Sequence, residues 1–476
     1  MEILEESIRD NIQENITYFN NILNQKNNFD IVFRQLKIGG KKVGLFFVDG
    51  FLQDDIMQKL IQFFYSIREE DMPKTPEDMA WEYIPYGEVS LGSQWKDILY
   101  QLLSGISVMF VEGYDKCIFI DCRTYPARNV NEPEKDKVLR GSKDGFVETL
   151  VFNTALIRRR IRTPEFIVKM KNVGRSSKTD IAICYMENRV DRKLLDKIEK
   201  RLDEIQVDAL TLNQESLIEC LYPYSWYNPF PKFKYSERPD TAAAQILEGN
   251  IVILVDNSPS CIILPDSVFD IMEEADDFYF PPITGTYLRM CRYMIGIVTL
   301  IWTPLSLLFV HHPDWLPSVF EFTVIKDDVN IPVIFQFLLL EIAIDGLKLA
   351  AVNTPSMLST PLSIVAALAL GEYSVNSGWF NEECVLYMAF VAVANYTQQN
   401  YELGYALKFL RIILLILTGI FDIYGFLVGI VLILVMLVSN KTISGKGYFY
   451  PLIPFNFKAL IGRMKRKRIG YEIHQE

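Results

Sequence analysis

Apolar residues are distributed along this chain in two unlike ways. Before Arg289 they form short runs interrupted by charged and polar positions; after Arg292 they merge into long stretches with few charges. The run VGLFFV at 43–48, closed by Asp49-Gly50, reads as a buried strand reaching a turn, with a helix over 54–67 behind it. Residues 1–35 read as a polar, Asn- and Gln-rich helical lead-in. Beyond a Pro- and acid-rich loop at 72–88, the runs 106–111 and 117–121 frame the turn Glu112-Gly113-Tyr114-Asp115, a hairpin signal. The charged, proline-containing segment 124–139 separates this region from a second one. There a helix over 144–162 and strands at 165–171 and 180–187 come first. A helix over 191–205 follows, with Leu194, Leu195, Ile198, Leu202 and Ile205 at helical spacing, and then a strand pair at 251–255 and 261–264. Strands alternating with helices predict an α/β region; no internal repeat of fixed period is visible.

The second half follows a different pattern. Residues 290–310, uncharged after Arg292, are long enough to cross a hydrocarbon core of about 30 Å. A second span at 331–351 is interrupted by Glu341, Asp345 and Lys348, a third at 360–377 is rich in Ala, Ser and Gly, and a weaker fourth covers 384–395. The apolar run 409–438 is broken by Asp422, Tyr424 and Gly425; it is too long for one straight crossing and suits a tight hairpin. The expected fold class is therefore an α/β soluble N-terminal region in two subdomains, followed by an α-helical multi-pass membrane domain. The boundaries fall at 1–35 for the lead-in, 36–135 and 136–288 for the subdomains, 289–440 for about five to six membrane segments, and 441–476 for a basic tail. Placing Arg289, Arg292, Lys348, Lys408, Arg411 and the tail's Lys458, Arg463, Lys465, Arg466, Lys467 and Arg468 in the cytoplasm obeys the positive-inside rule. It requires an even number of crossings and puts the N-terminal domain on the same side as the tail.

Composition narrows the function classes. A net charge of −11 argues against a general nucleic-acid binder, which needs a basic face. The seven cysteines are odd in number and form no Cys-x-x-Cys pair, so reduced thiols fit better than a disulfide framework or a zinc site. No signal-peptide pattern opens the chain. The three histidines, 311, 312 and 474, lack a Ser/Asp or metal-ligand context, which leaves hydrolase and zinc chemistry without footing. GRSSKT at 174–179 superficially resembles a phosphate loop, but it lacks the glycine before Lys178 and a strand rather than a helix is expected after it. No enzymatic activity, cofactor or metal is expected.

Several runs resemble those of the A subunits of spore germination receptors, the GerA family. They are RGSKDGFVETLVFNTALIRRRI at 140–161, GRSSKTDIAICYM at 174–186, YSERPDTAAAQILEGNIVILVDNSPS at 235–260 and the broken second span. The runs RGSKDGFVETL, AAVNTPSMLST at 350–360 and YPLIPFN at 450–456 resemble one branch of that family, encoded with dipicolinate-channel genes. The resemblance implies a multi-pass protein of the endospore inner membrane with its soluble domain facing the core. It implies a homo-oligomeric ring that conducts cations beside B- and C-type receptor subunits, or beside a small membrane partner in this branch. The slot that reads Gly-Ile-Arg-Leu-Pro-like in receptor A subunits is Ala351-Val352-Asn353-Thr354-Pro355 here, a departure at the point of nutrient-receptor coupling.

Ionisable groups inside a span are functional candidates by default. Glu341 and Asp345 share a helix face, with Lys348 three residues on. They form either a cation-attracting surface or a structural set, with Asp345 paired to Lys348 and Glu341 hydrogen-bonded between subunits. The pore-lining candidates are Ser359, Ser363, Ala367, Leu370 and Glu372 on the third span, whose small residues also suit plain helix packing. Arg158, Arg159 and Arg160 are candidates for contact with a neighbouring subunit or lipid; capping of a helix C-terminus is the plainer reading. Two functions stand: a cation channel subunit that supports germination, or a non-conducting scaffold that assembles or gates other germination membrane proteins.

Overall fold

The computed structural model describes residues 7–9, 11–125, 138–222, 227–265, 267–316, 318–319, 325, 330–398, 400–440, 442–443, 445 and 447–465, with backbone only at 356–359 and 361–362. It divides into two units, one of Met1–Pro223 with Phe233–Pro265, the other of Tyr224–Lys232 with Asp266–Glu476.

The first unit contains two five-stranded antiparallel sheets. Sheet one has the order β1 (Ile31–Ile38), β2 (Lys41–Val48), β4 (Ser107–Val111), β5 (Cys117–Ile120), β3 (Val89–Gly92). Sheet two has the order β6 (Phe166–Val173), β7 (Thr179–Met186), β9 (Ile251–Val255), β10 (Cys261–Leu264), β8 (Lys234–Ser236). Counted within each sheet, the connectivity is the same: a hairpin, a strand sent to the far edge, and a second hairpin between them. The helices fall in matching places. α1 (Ile12–Ile22) precedes the first sheet, α2 (Asp54–Ser66) follows its first hairpin, and α3 (Trp95–Leu103) follows its edge strand. α4 (Leu150–Arg158), the pair α5 (Arg192–Glu204) and α6 (Gln214–Leu221), and α7 (Pro239–Leu247) repeat the scheme around the second. The chain thus carries a structural duplication with no sequence period to announce it.

Both faces of sheet one are covered, which explains the unbroken apolar runs of β4 and β5. Val108 and Phe110 of β4 pack with Ile16, Phe19, Trp95 and Leu102 on one face. Met109 and Val111 alternate to the other face against Met57, Leu60 and Phe64 of α2. The hairpin expected around Glu112-Gly113 forms between β4 and β5. The strand β1 was not expected: it lies at the sheet edge, and its Arg34, Gln35 and Lys37 gave it a polar look inside the assumed helical lead-in. Gly39 and Gly40, at φ +48° and +79°, make the two-residue turn that pairs β1 with β2.

The second unit is helical. Short helices α8 (Val268–Ile271) and α9 (Asp276–Tyr279) lead into α10 (Pro282–His311). α11 (Val333–Asn353), α12 (Ser356–Ala367) with a π-helical extension at Leu368–Tyr373, α13 (Glu382–Asn395), α14 (Tyr401–Ser439) and α15 (Phe457–Met464) follow. Two of these, α10 and α14, are apolar and long enough to cross a membrane. α14 is two arms: Asp422 leaves helical geometry at φ +56°, ψ −135°. A Cβ added at Gly425 would run into the Leu417 carbonyl, and one at Gly429 into the Leu414 side chain. In a straight helix residues 414 and 429 would stand about 22 Å apart, so the arms fold back as the hairpin expected from the sequence. Gly425→Ala is accordingly expected to destabilise the protein by about 1–3 kcal/mol through overpacking, read as a lower thermal midpoint of the detergent-purified chain.

Candidate functional site

The most unusual chemistry in the second unit lies where α10, α11 and the first arm of α14 meet. Glu341 and Asp345 sit one turn apart on α11, and Lys408 and Arg411 sit one turn apart on α14. Glu341 accepts from Arg411 Nε at 2.7 Å and Nη2 at 2.6 Å, and stands 3.2 Å from Lys408 Nζ. Lys408 also pairs with Asp345 and donates to the Glu341 carbonyl at 3.3 Å, while Arg411 Nη1 donates to the Thr299 carbonyl of α10 at 3.1 Å. Two carboxylates therefore face two cations, and the set is charge-balanced. The side chains of Glu341, Lys408 and Arg411 are 5% exposed or less; that of Asp345 is 35% exposed, although its Oδ1 is buried and lacks a hydrogen-bond partner.

Sequence reasoning found Glu341 and Asp345 and missed their partners. Lys408 and Arg411 enter the sequence reading only as basic residues that set topology; in the structure they are buried among helices and paired with acids. Lys348 is not the partner of Asp345: its ammonium lies over the rings of Tyr396 and Tyr405, at 4.7 and 5.8 Å. The overlooked signal was complementary spacing, an acid pair at i, i+4 on one apolar helix and a base pair at i, i+3 on another.

The third-span candidates are not gathered at this cluster. Ser363, Ala367 and Glu372 are exposed on α12 and its π-helical extension, and Leu370 is half-buried. Glu372 has no ion partner among the described residues. The side chain of Ser359 lies outside the described residues. Leu370 helps line a shallow groove with Tyr373, Ser374, Ser377, Trp379 and Phe380.

Two further charged groupings bracket α10. At its start, Arg289 meets Asp277 at 3.1 Å and Glu273 at 2.5 Å, and Arg292 meets Glu274 at 3.3 Å, also pairing with Asp277 and donating to the Met272 carbonyl at 2.7 Å. At its end, His312 Nε2 lies 2.5 Å and His311 Nδ1 3.5 Å from Asp422 at the tip of the α14 hairpin. The sequence had offered these histidines no acidic partner, because the partner is more than a hundred residues away.

In the first unit the three candidate arginines part company. Arg158 is fully buried, which removes it as a candidate for contact with a neighbouring subunit or lipid: its guanidinium pairs with Asp30 and lies 4.3 Å over the Phe166 ring. Arg160 bonds the Leu156 carbonyl at 2.8 Å and Asp144 at 2.5 Å, close to the helix-end role. Burial alone would raise the Asp144 carboxyl, but hydrogen bonds from Ser142 and Arg160 hold it below the usual carboxylate range. Arg159 is exposed, 4.5 Å over the Tyr125 ring. GRSSKT leads into strand β7 rather than a helix.

Comparison with known proteins places these features in a family. Residues 17–471 match the model of the Bacillus/Clostridium GerA spore germination protein. The chain is 38% identical to Stage V sporulation protein AF of Bacillus subtilis (strain 168), over 96% of this chain and 93% of that one. It is 26% identical to Spore germination protein KA of the same organism, over 90% and 79% of the two chains. Among solved structures it is similar to the N-terminal domain of the A subunit of the Bacillus megaterium spore germinant receptor GerK3. That match has 27% identity and a TM-score of 0.41, over 54% of this chain and 96% of that one.

Proposed function

Because the chain belongs to the Bacillus/Clostridium GerA spore germination protein family, we propose that its part in spore germination is that of a multi-pass subunit of the endospore inner membrane, working as an oligomeric cation channel. The observation that carries the membrane-embedded part of this reading is the buried, charge-balanced cluster of Glu341, Asp345, Lys408 and Arg411 among apolar helices. Groups that costly in hydrocarbon persist where they hold helices together or face a polar path. The cluster closes most of its charges on one another, so it serves as a lock between α11 and α14, with Asp345 its one partly exposed member. Conduction then falls to the small and weakly polar face of α12, with Ser363 and Ala367 toward the axis and Leu370 as an apolar constriction.

In this reading α10, α11, α12 with its extension, α13 and the two arms of α14 cross the membrane in turn. That returns the chain to the side of the N-terminal domain. The assembly is a homo-oligomer beside B- and C-type receptor subunits or a small membrane partner, and it performs no covalent chemistry. The mutual saturation of the cluster also favours a second reading, a scaffold whose charges only fasten helices. Planar-bilayer recording of the purified protein separates the two. Ala367→Trp and Ser363→Trp should lower cation conductance by roughly tenfold by narrowing a dewetting-prone constriction. Unchanged currents across that series, or none in the parent protein, would leave the scaffold.

A further inference from the structure

The C-terminal helix α15 presents an unusual surface. It spans Phe457–Met464 and is capped by Asn456, whose side chain accepts from the Ala459 amide at 3.1 Å. At about 100° per residue, Phe457, Ile461, Lys465 and Lys458 fall within one arc of about 100°, and all four are exposed. Phe457 is 64% and Ile461 43% exposed, and the preceding loop adds Phe455 at 68%. One edge of this stripe is thus aromatic and aliphatic and the other basic, with no acidic residue between 447 and 465.

The opposite side of α15 is fastened. Arg463 pairs with Asp270, and its carbonyl accepts from Arg289 Nη1 at 2.7 Å. Arg289 lies on α10 just below Met294 and Ile297, exposed apolar positions of the long span. Five residues of helix separate Arg289 from Met294, about 7.5 Å. The helix is therefore held at the level where α10 enters its apolar stretch, the depth of lipid headgroups.

We propose that α15 is an interfacial helix that lies in the cytoplasmic leaflet and binds anionic lipid, with Phe455, Phe457 and Ile461 dipping below the headgroups and Lys458 and Lys465 pairing with their negative charges. An apolar face edged by lysines is the combination that such surfaces select. Because Arg289 and Arg463 tie α15 to the base of α10, lipid charge in that leaflet is coupled to the position of the first span. The inference rests on the reading of α10 as a membrane span.

The test uses the full-length protein in nanodiscs, either of neutral lipid or containing phosphatidylglycerol, with a fluorescent amino acid replacing Ile461 and, in a second sample, Ile297. Spin-labelled lipids carry the quencher near the headgroup or deep in the acyl chain. The expected result is shallow quenching at 461, at least about twofold stronger in anionic discs and reduced by the pair Lys458→Glu, Lys465→Glu. Both lysines are exposed, so that variant leaves the packed side of the helix intact. Deep quenching at 297 with none at 461 would overturn the inference and leave the face for a protein partner, while the span reading survives. Quenching at 461 that ignores lipid charge would overturn the anionic assignment. Absence of quenching at both positions would remove the span reading and the inference with it.

Discussion

Glu341→Ala is expected to destabilise the helical unit by about 3–5 kcal/mol, the usual loss when one partner is taken from a buried ion pair. The carboxylate receives two donors of Arg411 and faces Lys408. Without it two cations remain among α10, α11 and α14, with Asp345 the remaining acid of the cluster. Glu341→Gln should fall between the variant and the parent, since an amide keeps one acceptor but not the charge. Thermal unfolding in detergent measures the order. A midpoint unchanged by Glu341→Ala would mean that the ionic contacts do not fasten these helices. Replacing all four charged residues with leucine or methionine is the sharper experiment. Removing a whole buried ion set in favour of apolar residues is often neutral or stabilising, so that variant should fold. If it also supports germination, the cluster is purely a lock; if germination is lost in a folded protein, the charges of the cluster do more than fasten the helices.

How much of this was legible in the sequence depends on whether the signal was local. The strands at 251–255 and 261–264 and the β4–β5 hairpin were legible because their turns and apolar runs lie within a few residues of each other. The α14 hairpin was legible from Asp422 and Gly425 interrupting an apolar run. The duplication of the two sheets was not, because connectivity is preserved while the intervening helices and loops differ in length. Lys348 is the only partner for Asp345 that the sequence offers on its own helix, but the cation that reaches it comes from α14, sixty-three residues on. Positive-inside counting reads a lysine near a span end only as a charge that sets topology, so it gives no sign that a carboxylate on another helix holds that lysine out of water.

The same distinction governs the second large effect, at Arg158. Its guanidinium meets Asp30 in two bonds of 2.7 and 3.0 Å, donates to the Phe166 carbonyl at 3.1 Å, and reaches Asn28 Oδ1 at 3.4 Å. Asn28 in turn accepts from the Val168 amide at 2.8 Å, so the corner before β1 is stitched to β6. Arg158→Ala is expected to cost about 3–5 kcal/mol, because it leaves the Asp30 carboxylate buried and unpaired. Arg158→Lys should recover only part of that, since a point charge cannot reproduce the forked geometry. Arg159→Ala, on an exposed side chain over Tyr125, should change stability by only about 1 kcal/mol or less. Chemical denaturation of the three variants checks the ranking. The contrast also decides which arginine can report on assembly. Loss of germination in Arg158→Ala follows from unfolding alone and says nothing about a partner, whereas loss in a stably folded Arg159→Ala would mark an intermolecular contact of the first unit and favour the scaffold reading over the channel.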